Sequence, residues 1–405
     1  MQVHTSSELE QRIADVGSSL VQTLRDVLHS VPASTQGPQA LARSLGVDKV
    51  LTSRVLKAAR AADPISATHR MPGPAPLRRL VQAAARKGAP DAVVTEAIRA
   101  IDRFEVLIGE QIGGRSLLDT IVSAWVPEAR REFELRRKQS LFKAMSQLRG
   151  AQAETLLATV LLQPSASADR IDVVWVNGLV GVHRVRPGVN VKIATRKLHP
   201  DDPSRQPTTL DGRPLNDAEA VLIDSFCSTP MPRLNVVTAG AAVFYTLADG
   251  GFGADAAVDL AFAEVSRDEL PRFVPTGANR KSFFFAEVSI PTRTLQFDVL
   301  VHEDLYPGQD PALRLYDTSF EGVASPNDPA RDMDRLNMLE VIEPLGVGTQ
   351  GLRSSDVPRY AEMVDHVVTR VGFEAQRLRA YRCRIEYPVY GSQATAVFSA
   401  VERAI

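Results

Sequence analysis

The chain has 405 residues, 44% hydrophobic, 23% charged and 6% aromatic, with a formal net charge of −1. A chain of that length predicts two or three domains, each able to bury a core without metal or disulfide staples. Cys227 and Cys383 lie far apart with no CxxC partner or clustered histidines, which argues against a structural zinc site and a disulfide framework. Met1 to Glu10 is polar and acidic, and the longest apolar run, Thr155 to Leu162, is far short of a bilayer span. Secretion and membrane insertion are therefore disfavoured, and a cytoplasmic protein is expected.

The charge is unevenly placed. Residues 1–150 carry 22 Lys and Arg against 15 Asp and Glu, and residues 151–405 carry 25 against 33. The basic half is the candidate partner for a polyanion such as DNA. Many helical domains carry a similar excess with no nucleic-acid role, so charge alone does not decide.

From Glu8 to Leu28 the residues Leu9, Ile13, Val16, Leu20, Leu24, Val27 and Leu28 recur every three or four positions, predicting an amphipathic helix. A Pro/Ser/Thr/Gly connector follows at 32–38, and Pro38 suits the first turn of a second helix. Asp63-Pro64 and Met71-Pro72-Gly73-Pro74 interrupt the next stretch, with 65–71 read as a loop carrying His69 and Arg70. Residues 77–86, 92–108 and 127–162 again read as helices rich in Ala, Leu, Arg and Glu. On the 127–162 segment, Arg130, Arg131, Arg136, Arg137, Lys138 and Lys143 would form a solvated face beside a packed or dimerising stripe.

After Gln163-Pro164 the texture changes. Val173, Trp175, Val182, Val185, Val189, Val191 and Ile193 form short β-type runs, with turns expected at Asn177-Gly178 and Pro187-Gly188. Further strands are expected at 234–247, 257–265, 282–290, 295–301 and 382–389. Polar connections are expected at 199–217 and 322–331, and helices at 333–342 and 359–371. The fold class is thus α+β and multidomain. An all-helical N-terminal domain, residues 1–165, precedes a mixed domain of largely antiparallel strands, residues 166–405.

One segment carries a mechanism. Residues 38–57, PQALARSLGVDKVLTSRVLK, read as a short helix, a glycine turn and a second helix. Leu41, Leu45, Val47 and Val55 would line the inner faces, with Ala42 at the close approach. Gly46 would take the left-handed turn position, and Asp48 would cap the second helix. Over these twenty or so residues the sequence resembles the helix-turn-helix unit of the LacI-type repressors, with the same Ala, Gly, Val and Ser53-Arg54-Val55 spacing; no later segment resembles that family. The resemblance implies that the second helix of a 38–60 helix-turn-helix enters the major groove of double-stranded DNA. Lys49, Val50, Ser53 and Arg54 would face bases or phosphates, and Lys57 and Arg60 would reach the backbone. The family buries a branched apolar residue where this chain has Thr52, while the apolar Leu51 sits one position earlier. The rotation of the helix is therefore open by one position.

Other motifs have plainer readings. Gly346-Val-Gly-Thr-Gln-Gly351 matches GxGxxG, but Pro344 and Pro358 deny it the strand and helix that dinucleotide binding needs, so it reads as a glycine loop. His302-Glu303-Asp304 reads as a solvated strand end, and Phe283-Phe284-Phe285 as a strand with core on both faces. No G-x-S-x-G elbow occurs and neither cysteine has a neighbouring histidine, so no catalytic residue, metal site or cofactor is expected.

The sequence therefore predicts a DNA-binding transcriptional regulator, a homodimer, whose C-terminal domain senses a small-molecule or protein effector or drives assembly. The alternatives are a non-catalytic interaction scaffold and, third, an enzyme with its active site in the C-terminal domain. An exposed second helix with Arg54 projecting would favour DNA; its burial would favour a scaffold.

Overall fold

A computed structural model describes residues 6–31, 37–61, 63–197, 207–215, 222–240, 242–248 and 250–403. The chain divides into two compact units, Met1–Arg136 and Arg137–Ile405.

The first unit is helical. It contains α1 (Ser6–His29), α2 (Pro38–Leu45), α3 (Lys49–Ala59), α4 (Pro64–Arg70), α5 (Pro74–Arg86), α6 (Asp91–Val106), α7 (Arg115–Ser123) and the first part of α8 (Pro127–Arg149). A π-helical turn, Leu107–Ile112, extends α6 and ends at Gly113, whose φ of +92° suits glycine. The expected periodicity of α1 holds. Ile13, Leu20, Leu24, Val27 and Leu28 are buried in one core with Leu41, Val55, Leu77, Leu80, Ile101 and Phe104. Gly17 is the point of closest approach to α4: a Cβ there would lie 2.5 Å from the Pro64 carbonyl oxygen and 2.7 Å from Thr68. The connector at 32–36 lies outside the described residues.

The second unit is built on strands. They are β1 (Ala151–Pro164), β2 (Arg170–Arg184), β3 (Val191–Lys197), β4 (Leu234–Ala239), β5 (Ala242–Leu247), β6 (Val258–Pro271), β7 (Phe273–Pro275), β8 (Lys281–Glu287), β9 (Thr292–His302), β10 (Ala312–Asp317), β11 (Glu343–Val347), β12 (Leu378–Glu386), β13 (Ser392–Ser399) and β14 (Val401–Arg403), with α9 (Tyr360–Val371) between β11 and β12. The main sheet has the order β11-β12-β9-β1-β2-β6, and only β1 and β9 pair in parallel within it. Alternation along the strands gives this sheet two covered faces. On one, Leu161, Val174, Ala263 and Leu300 pack with Val364, Val367 and Val368 of α9. On the other, Val160, Phe297 and Val299 pack with Phe284, Ala286, Ala396 and Phe398 of a β10-β13-β8 sheet. A third sheet, β3-β5-β4, packs Ile193, Val243 and Tyr245 against Leu179, Leu260 and Phe262.

The α+β class with a helical N-terminal and a strand-rich C-terminal part is what the sequence predicts, but several elements differ. The helix expected over 127–162 stops at Arg149, and Gly150, at φ +69°, turns the chain into β1. Residues 151–164 have good helix formers, yet pairing on both edges within a central sheet position overrides propensity. The division between units therefore lies inside α8, ahead of the boundary expected at 165. Asn177-Gly178 is no turn: both residues sit inside β2, and Gly178 is required because a Cβ would meet the Leu260 carbonyl oxygen at 2.8 Å. The loop expected at 65–71 is α4, capped by the Asp63 carboxylate. The helix expected at 333–342 is a 3₁₀ turn, Pro329–Asp334, followed by extended chain into β11. Of the three phenylalanines in β8 only Phe284 is core; Phe283 and Phe285 are half-buried and stack on each other at 6.4 Å. Of the polar connection expected at 199–217, residues 199–206 and 216–217 lie outside the described residues.

Candidate nucleic-acid interface

The segment 38–60 folds as two helices joined by a tight turn. Pro38 occupies the first turn of α2, where its missing N–H costs nothing. Gly46 ends α2 in the left-handed region, at φ 64° and ψ 37°, and its N–H donates to the Ala42 carbonyl. Asp48 caps α3: its Oδ1 accepts from the backbone N–H of Val50 at 2.6 Å and of Leu51 at 3.2 Å.

Thr52 settles the rotation of α3. It is 0% exposed, and its hydroxyl donates to the Pro38 carbonyl at 2.8 Å and the Lys49 carbonyl at 3.0 Å. A threonine is therefore accepted at an inward position because its one polar group is satisfied locally. Leu51 takes the flanking, half-buried position. Inward with Thr52 go Val55, Leu56, Ala58 and Ala59. The opposite face carries Lys49, Val50, Arg54, Lys57 and Arg60, all exposed, with Ser53 half-buried at its edge. Val50 is 64% exposed. Among the described residues, no ion pair or side-chain hydrogen bond engages Lys49, Arg54, Lys57 or Arg60. Five of the six residues expected from the sequence thus lie on one side of a helix of 11 residues, roughly 16 Å long at 1.5 Å per residue, and the sixth, Arg60, is its C-cap.

A buried polar cluster stands behind this face. His69 of α4, 6% exposed, has Nδ1 3.4 Å from Asp119 and Nε2 3.4 Å from Glu132. Arg115 pairs with Asp119 at 3.2 Å and donates to the Thr68 carbonyl at 3.0 Å, so it ties α7 to the end of α4. Burial pushes the Asp119 carboxyl up, but the His69 ring and the Arg115 guanidinium pull it below its ordinary value. Burial likewise lowers Arg115, and the nearby positive charges of Arg54 and Arg136 add to that effect. Sequence reading missed this cluster because its members lie up to 63 residues apart.

Leu45, 4% exposed, anchors the turn from below. Leu45→Ala is expected to cost about 2–5 kcal/mol through the lost methylenes and the cavity left behind. Urea unfolding of the full chain measures this.

The other sequence candidates lie in the second unit. His302 is buried, not solvated as expected, at 1% exposure, because the β12 pairing and Glu374 cover the strand end. Glu303, Asp304 and Glu374 all converge on Arg377, and Asp304 and Glu374 also lie 3.7 and 3.6 Å from the His302 ring. The glycine loop at 346–351 begins within β11, where Gly346 sits at a register shift against β12, so no helix N-terminus follows it. Burial raises the thiols of both Cys227 and Cys383. Among the described residues, no group of His, Cys, Asp and Glu is placed to hold a metal ion, and no helix is long and apolar enough to cross a membrane. No family model, curated protein or solved structure matches the chain.

Proposed function

We propose that this chain binds double-stranded DNA through α3 and acts as a transcriptional regulator. The observation that carries the reading is the two-sidedness of α3: Thr52, Val55 and Leu56 inward, and Lys49, Arg54, Lys57 and Arg60 outward without ion partners among the described residues. An αα-hairpin serving only as packing has no need of an outward face free of carboxylate partners. Placed in a major groove, Lys49, Val50, Ser53 and Arg54 meet base edges or phosphates, and Lys57 and Arg60 meet the backbone. One such unit offers a small surface, so the active form is a homodimer presenting two units about 34–36 Å apart. The strand-rich unit then serves sensing or assembly.

Arg54 gives the sharpest test. Its planar fork pairs with guanine O6 and N7 or clamps a phosphate. If it reads a base, Arg54→Ala costs about 1–3 kcal/mol on the preferred site and relaxes preference at one base pair. If it holds phosphate, affinity falls on all sequences alike. Selection of bound duplexes from a random pool, followed by titration of wild type and Arg54→Ala, separates the two. As an exposed side chain, Arg54 should leave the melting temperature nearly unchanged. Unaltered DNA binding in the variant would remove α3 from the interface and favour the scaffold reading.

A further inference from the structure

The second unit contains a cleft of about 450 Å³ that none of the packing described above requires. It lies where the β1-β2-β6 side of the main sheet leaves a gap between β8 and β3, and the volume falls within the range of small-molecule sites. Cross-strand register assembles its polar groups. Trp175 of β2 stands opposite Glu264 of β6, and Asn177 opposite Phe262, so all four share one face and Asn177 is the diagonal neighbour of Glu264. Phe285 forms part of the wall, and the exposed Lys192 and Glu287 stand at the rim.

The polar groups in the cleft are unused. Among the described residues, the Glu264 carboxyl, the Asn177 carboxamide and the Trp175 indole N–H have no hydrogen-bond partner, which leaves them open to the cleft. Several convergent unpaired donors and acceptors beside aromatic walls mark a binding site rather than a packing fault.

The chemistry of these groups selects the ligand. Burial raises the proton affinity of Glu264, and Arg196 opposes this only in part. The Asn177 carboxamide presents a donor and an acceptor in one plane, and the Glu264 carboxyl diagonal to it adds a further acceptor. The complementary group is a cyclic amide edge, an N–H beside a C=O, and the Trp175 and Phe285 rings add flat apolar surface for the heterocycle that carries it. We infer that the Trp175–Asn177–Glu264 cleft binds a nucleobase or nucleoside with a cyclic amide edge. Nothing in this site depends on whether α3 contacts DNA.

The chain has two tryptophans, so the full-length Trp125→Phe variant leaves Trp175 as the reporter. Uridine or guanosine should quench its fluorescence saturably, and N3-methyluridine, with the amide N–H blocked, should bind at least about tenfold more weakly than uridine. Glu264→Gln keeps an acceptor oxygen at the same place and should bind within about threefold of wild type. Glu264→Ala and Asn177→Ala should each lose about tenfold or more, with melting temperatures at or near wild type because no internal bond is lost. Absence of saturation by both nucleosides, equal binding of N3-methyluridine, or equal loss in Glu264→Gln and Glu264→Ala would each overturn the assignment. Saturation by glucose in place of the nucleosides would overturn it too.

Discussion

Replacing Arg382 with leucine is expected to lower stability by about 3–5 kcal/mol, the usual cost of leaving a buried charge without its partner. Asp298, 0% exposed, faces Arg382 directly across the β9–β12 ladder. The guanidinium Nε and Nη2 donate to its carboxylate at 2.9 and 2.7 Å, and Nη1 donates to the Arg353 carbonyl at 2.7 Å. Gln296 adds a bond to Asp298 at 3.2 Å, and the guanidinium lies over the Tyr360 ring at 5.3 Å. Burial drives the Asp298 carboxyl up, and Arg382 is the main force drawing it back. Without Arg382, the group's folded-state pKa rises further above its unfolded value. The loss of stability should therefore be greatest at neutral pH and shrink as pH falls toward the carboxylate range and the group takes up a proton on folding. The double variant Asp298→Leu, Arg382→Leu should recover most of the loss, because the desolvation cost of both charges disappears with them. Urea titrations of the three variants across pH test this. A single variant that loses less than about 1 kcal/mol would show that water reaches Asp298.

The second large effect concerns salt. If α3 and its surroundings neutralise six to ten phosphates in a dimer, affinity for DNA should fall by roughly 10³ to 10⁵ between 50 and 200 mM salt. Each cation that truly contacts phosphate contributes about one to the slope of log affinity against log salt. Changing Lys57 and Arg60 together to alanine should then reduce the magnitude of that slope by about two per protomer's worth of contacts, and leave base preference intact. Fluorescence anisotropy of the full chain on labelled duplexes measures both. A slope that does not change would place the DNA contacts elsewhere in the chain. Sedimentation of the same samples tests the dimer, since a strictly monomeric mass at micromolar concentration, with and without DNA, contradicts the two-unit geometry.

The two helices α2 and α3 and the turn between them were legible because each of their cues is local. Pro38, Gly46 and Asp48 act within one turn of their own positions, so the helix limits could be read from neighbouring residues. The rotation of α3 was not legible, because Thr52 is inward only by virtue of the Pro38 carbonyl 14 residues away. The same distinction runs through the second unit. Residues 151–164 look helical in isolation and become a strand through partners at 171–184 and 292–301. Asn177-Gly178 looks like a turn because the reason for its glycine, the Leu260 carbonyl, comes from another strand. The cleft lay beyond sequence reading altogether. Trp175 and Glu264 are 89 positions apart, and only the β2–β6 register makes them neighbours.

The contact at Gly17 makes the first unit's tolerance of mutation uneven. In a saturation library scored for folded protein, almost any side chain should survive at the open position 50. At position 17 even alanine would wedge α1 away from the Pro64 carbonyl and Thr68, backbone and core atoms with nowhere to retreat. Descendants of this chain can therefore vary the outer face of α3 through many small steps, while a single codon at the crossing of α1 and α4 stays fixed.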